Sequence, residues 1–133
     1  MKVSIGNYPV YRWYHHIGLI KFQEEPKVKV RIDPWDTHSM DITLSHVILP
    51  MLIQLQRKQH IVPRIEQEDL PEGISQSEDV WDASEAAWNW ALGEMIYAFN
   101  AKLGEEFLPH QEEAHRVSNG FRLFGKYYNN LWD

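Results

Sequence analysis

Residues 79–103 read DVWDASEAAWNWALGEMIYAFNAKL. Trp81, Trp88, Leu92, Met95, Ile96, Phe99 and Leu103 recur there at helical spacing, the pattern of a helix with one buried stripe. Asp82 with Glu85 resembles a capping pair, and Gly104 is a stop signal. The spacing predicts a helix from about Asp79 to Leu103. Trp90 and Tyr97 turn away from the stripe, two turns apart.

Two further helices flank this one. On the N-terminal side, Asp33 suits a cap, Pro34 a first helical position, and Asp36 the third place after the cap. Thr37 and Ser39 are other possible starts. Met40, Leu44, Val47, Ile48, Met51, Leu52 and Leu55 then follow helical spacing. Pro50 is expected to kink this helix, because it removes the bond to the His46 carbonyl. Ile42, Leu49 and Ile53 occupy its other side. On the C-terminal side a third helix is expected from near Pro109 to the chain end, with Val117, Phe121, Phe124, Tyr128 and Leu131 inward. Gly120 and Gly125 within it imply close approach of something at those points. Residues 61–77, rich in Pro, Gly and acid, read as a surface linker. Residues 2–6 and 27–32 alternate polar and apolar, the period of half-buried strands. The aromatic stretch from Tyr8 to Phe22 has no clean period and reads as loop or short helix. The expected class is therefore mainly α: about three long helices packed with a short N-terminal β element, in one domain over residues 1–133.

Composition narrows the function. With 133 residues the chain is long enough for one core without staples. There is no cysteine, which removes disulfides, thiolate metal sites and cysteine nucleophiles. Thirteen Lys/Arg against nineteen Asp/Glu leave a net charge of −6, which argues against a duplex nucleic-acid binder. No apolar run is long enough for a membrane span, and Met1 to Phe22 lacks a signal-peptide core, so an intracellular protein is expected. Aromatics make 13% of the chain, enough to place several at interfaces or stacking sites. None of the seven histidines falls at a known ligand spacing, so neither metal nor cofactor is expected.

The third helix carries the sharpest candidate. His115, Asn119, Arg122 and Lys126 share one narrow wedge opposite its apolar stripe. Either this is a solvated polar face or it is an anion grip. In the second case Arg122 supplies a planar fork, Lys126 a point charge, and Asn119 and Arg116 support them. Trp35 or Tyr127 would stack a base. Asp41 projects toward the apolar side of the first helix and needs a partner among Arg31, Arg116 and Arg122.

Three blocks carry a resemblance. The first is Lys29-Val30-Arg31-Ile32-Asp33-Pro34-Trp35-Asp36-Thr37, continuing through Met40-Asp41-Ile42-Thr43-Leu44 and Ile48-Leu49-Pro50-Met51-Leu52-Ile53-Gln54-Leu55. The second is Trp88-Asn89-Trp90-Ala91-Leu92-Gly93-Glu94-Met95-Ile96-Tyr97-Ala98-Phe99. The third runs from Arg116-Val117-Ser118-Asn119-Gly120-Phe121-Arg122-Leu123-Phe124-Gly125-Lys126-Tyr127-Tyr128 to Leu131-Trp132-Asp133. Together they resemble a family of small proteins of tailed bacteriophages. His38 departs from the family's Trp, residues 61–79 are shorter than its linker, and the N-terminal region is reduced. The resemblance implies a phage protein acting in the host bacterial cytoplasm. With it, the expected function is a non-enzymatic binder that sequesters a small nucleotide immune signal of the host. The alternatives are an inhibitor or adaptor that binds a host protein, and a metal-dependent nucleotide hydrolase. Ile42, Leu49, Ile53, Trp90 and Tyr97 suggest a homo-oligomer.

Overall fold

The computed structural model describes residues 1–6, 17–18, 27–58, 60, 62–74, 81–104 and 111–132. The expectations for the Tyr8 to Phe22 stretch, apart from residues 17–18, and for helix starts at Asp79 and Pro109 lie outside the described residues. The class is mainly α with a two-stranded sheet near the N-terminus. The chain divides into two compact units, Met1–Met40 and Asp41–Asp133.

In the first unit, β1 (Lys2–Gly6) pairs antiparallel with β2 (Lys27–Arg31), Lys2 opposite Arg31 and Val3 opposite Val30. Pairing at a period of two puts Lys2, Lys29 and Arg31 on one face and Val3, Val28 and Val30 on the other. Asp33 caps as expected, but the element it starts is a single 3₁₀ turn, Pro34–Thr37. The Trp35 N–H donates to Asp33 Oδ1 at 3.0 Å, and the Asp33 N–H donates to Asp36 Oδ2 at 2.7 Å. The Met1 amino group lies 2.6 Å from Asp36 Oδ1. That hydrogen bond, with the one from Asp33, holds the Asp36 carboxyl below its ordinary range.

The second unit is built on three helices: α1 (Met40–Lys58, continuing from the last residue of the first unit), α2 (Trp81–Leu103) and α3 (Gln111–Lys126). The α2 stripe is buried as its spacing predicts at Trp88, Leu92, Met95 and Phe99, with Ala87, Ala91 and Ala98 beside them. Trp90 is half-buried against this core, so it does not face outward. Helix α3 meets α2 at Gly120. A Cβ there would sit 2.4 Å from the Glu94 carbonyl oxygen and 2.6 Å from the Ala98 Cβ, so only glycine fits the crossing. Gly125 has open space around it, and the expectation of a close approach there is corrected. Phe99 takes Phe121 and Phe124 edge-on, at centroid distances of 5.0 and 4.9 Å.

Three expectations are corrected in this unit. Leu123 of α3 and Tyr127 just after it are buried, whereas the expected Tyr128 is 63% exposed. On α1, Ser45 and Leu52 are buried while Met40, Leu44 and Met51 are exposed. The helix is apolar on more than one side, and the side that packs carries Ser45 and Leu52, with Ile48, Leu49 and Leu55 against the core. Gln56 Nε2 donates to the Asn89 carbonyl at 3.2 Å and ties α1 to α2. The helix runs unbroken through Pro50. Finally, the described residues 62–74 are not a linker lying free on the surface. Ile65 is 1% exposed and joins the core, because Val62, Pro63 and Ile65 supply enough apolar surface to dock.

Candidate functional site

The wedge on α3 forms, but its cations face carboxylates of the same chain. Asp69 ends a short 3₁₀ turn, Gln67–Asp69, in the docked segment. Its side chain is only 3% exposed. Arg122 Nη1 reaches Asp69 Oδ1 at 2.7 Å, and Lys126 Nζ reaches Oδ2 at 2.7 Å. The Tyr127 hydroxyl donates to Oδ2 at 2.6 Å and accepts from the Glu66 N–H at 2.9 Å. Lys126 also contacts Glu66 at 2.5 Å and Glu68 at 3.2 Å. Asn119 Oδ1 accepts from Arg122 Nε at 2.9 Å and so orients the guanidinium.

The electrostatics follow from this geometry. Burial pushes the Asp69 carboxyl up, but hydrogen bonds from Lys126, Tyr127 and Arg122 outweigh burial and pull it down to about 2. Asp69, then Glu66, hold the Lys126 ammonium above its usual range. Burial, then the bond to Asp69, raises the Tyr127 phenol. A phosphate arriving here would compete with a carboxylate already satisfied on both oxygens.

The other expected site residues separate. Arg116 clasps Glu94 with Nη2 at 2.7 Å and lies over the Tyr97 ring at 3.8 Å. Tyr127 is buried, its ring edge-on to Trp88 at 6.3 Å, so its expected role as a stacking platform is corrected. Asp41 is exposed and pairs with Lys102 at 2.6 Å; the expectation of an arginine-paired carboxylate on the apolar side is corrected. A shallow cavity of about 480 Å³ is lined by Arg64, Ile65, Glu66, Gln67 and Glu68, a rim with two carboxylates. Among the described residues no group of three His, Asp or Glu is placed to hold a metal ion, and no helix is long and apolar enough to cross a membrane.

Arg31 and Trp35 belong to the first unit, and there the balance reverses. Residues 1–40 hold six Lys/Arg against four Asp/Glu, a formal +2; residues 41–133 hold seven against fifteen, a formal −8. Lys2, Lys29 and Arg31 are exposed on one sheet face, and among the described residues they have no ion-pair partner. Lys2 stands directly opposite Arg31. Like charges at directly opposite sheet positions destabilise a pair of strands, and an anion between them removes that cost. Trp35 is 78% exposed, with His38 edge-on at 5.8 Å.

No protein-family model, characterised protein or solved structure matches the chain.

The site is therefore read from its own chemistry. Lys2 and Lys29 were missing from the expected set; strand alternation places Lys29 on one face with Arg31, and the pairing register adds Lys2. Asp69 was missed because the acidic run around it resembles a solvated loop.

Proposed function

We propose that the protein is a non-enzymatic binder of nucleotide-type anions. Lys2, Lys29 and Arg31 take phosphate, and Trp35 stacks a base. One observation carries this reading: among the described residues Lys2, Lys29 and Arg31 have no ion-pair partner, whereas Arg122, Lys126 and Arg116 of α3 are already matched by carboxylates. The phage resemblance supplies the setting, the host cytoplasm, where holding a signal nucleotide away from its receptor needs no turnover. Calorimetry with a panel of linear and cyclic nucleotides tests it. Arg31→Ala is expected to weaken binding by about 1.5–3 kcal/mol, the range for a charge-assisted hydrogen bond, with an unchanged melting temperature. Arg122→Ala is expected to leave affinity intact and lower the melting temperature. The absence of binding to any nucleotide at millimolar concentration, or loss of binding in Arg122→Ala with the fold intact, would overturn the proposal.

A second reading, contact with protein, is favoured by α1. At about 100° per residue, Met40, Leu44, Val47 and Met51 fall within about 60° of one another. Met40, Leu44 and Met51 are 55%, 41% and 61% exposed. This stripe, rather than Leu49 and Trp90, is the face we propose for a homo-oligomer or a host protein. Light scattering is expected to give a mass above 15.8 kDa that Met51→Asp returns to the monomer value. A wild-type monomer at high micromolar concentration removes the homo-oligomer.

A further inference from the structure

The hairpin cations are not a cluster but a row with a cross-strand step. Lys29 and Arg31 are two residues apart on one face of β2, about 6.8 Å along the strand. Lys2 is level with Arg31 on β1. A single phosphate seated between Lys2 and Arg31 leaves Lys29 one repeat further along. A second phosphate meets it only if the ligand runs along the strand. Trp35 follows Arg31 by four residues in the same compact unit, at the Arg31 end of β2.

We infer that the ligand is a short single-stranded oligonucleotide, with successive phosphodiesters along β2 and a terminal base on Trp35. This rests on the nucleotide-binding reading above and names the ligand class for the same face. Charge also bounds its length. The first unit is +2 and the second −8, a net −6 for the chain, so a polyanion that outgrows the hairpin is repelled by the net charge. A duplex needs far more neutralised phosphates than three side chains supply. An acidic peptide matches the cations but not the open indole face, on which a planar base stacks.

The experiment is fluorescence anisotropy and calorimetry on the full chain with thymidylate ligands of one, two, three, four and twelve nucleotides, and with tetraglutamate. Affinity is expected to rise at least about tenfold from one nucleotide to three, the scale of one added phosphate contact or stacked base, and to level by four. The plot of log K against log salt is expected to slope at about −2, from three cations at roughly 0.7 each on a single strand. Lys29→Gln is expected to flatten that slope by about 0.7 and to abolish the gain from one nucleotide to two, with an unchanged melting temperature. Equal affinity for the mononucleotide and the trimer overturns the oligonucleotide and leaves the mononucleotide binder standing. Affinity that keeps climbing to twelve overturns the short footprint. Tetraglutamate binding as tightly as the tetramer reassigns the face to acidic peptides. If nothing binds, both readings fall.

Discussion

Trp88→Ala is expected to lower the free energy of unfolding by about 3–5 kcal/mol, the usual cost of truncating a large buried aromatic. Trp88 is 1% exposed and stands among the cluster that joins α2 to Ile65 of the docked segment, to Leu123 of α3 and to Tyr127 just after it. Its ring meets Tyr127 edge-on, at 78° between planes, so truncation removes an aromatic pair as well as area. The surroundings have little freedom to collapse into the space, because Gly120 already holds the two helix backbones as close as they go. Denaturant melting of the two proteins gives the difference directly. A loss below about 1 kcal/mol, well under that range, would place Trp88 in a site that solvent reaches.

Trp88 is also where the sequence was most legible. In α2 the deepest residues, Trp88, Leu92, Met95 and Phe99, repeat at helical spacing with alanines beside them, so periodicity finds the inner stripe, although it places Trp90 outside. The strands were legible for a similar reason: polar and apolar residues alternate from Lys27 to Arg31 without a fault. Helix α1 defeats the same test. Its apolar residues occupy more than one side, and the choice between the stripe of Met40, Leu44 and Met51 and the side of Ser45 and Leu52 was made by packing against α2. No local spacing encodes that choice. On α3 the expected stripe packs on the core at Phe121 and Phe124, but the deepest positions lie beside it. Leu123 and Tyr127 point inward in place of Tyr128, because the Gly120 crossing sets the rotation of the helix.

The candidate site divides the same way. The wedge of Asn119, Arg122 and Lys126 follows from helical geometry and forms as read. What the spacing does not report is the charge that faces it. Asp69 lies more than fifty residues earlier in the chain, and only tertiary docking brings it to Arg122 and Lys126. Sequence reasoning could count cations on a face; it could not subtract the carboxylates opposite. On the hairpin the subtraction leaves Lys2, Lys29 and Arg31 unmatched among the described residues, which is why the proposed ligand is put there.

Asp69→Asn is expected to cost about 2–4 kcal/mol at neutral pH, between the loss of charge-assisted hydrogen bonds and the breaking of a buried ion pair. The amide keeps the volume of the carboxylate but offers one acceptor oxygen where Arg122, Lys126 and Tyr127 all present donors. Water relieves part of the loss: Arg122 is 48% exposed and rehydrates, while the Tyr127 hydroxyl sits inside the fold. The effect carries a pH signature. The Asp69 carboxyl lies at about 2 in the folded chain against 3.8 for an ordinary aspartate. A carboxyl lowered by folding binds its proton more readily when unfolded, so its contribution is whole above about pH 4 and disappears as pH falls through about 2. That linkage is worth about 2 kcal/mol. The stability gap between the native chain and Asp69→Asn should therefore be constant from pH 7 to 5 and shrink by about 2 kcal/mol on acidification to pH 2. A gap that is small at neutral pH and flat in acid would make the Asp69 pairs ordinary screened surface contacts. It would also return Arg122 and Lys126 to the list of cations open to a ligand, since a carboxylate that contributes nothing to the fold is one that a phosphate displaces at little cost.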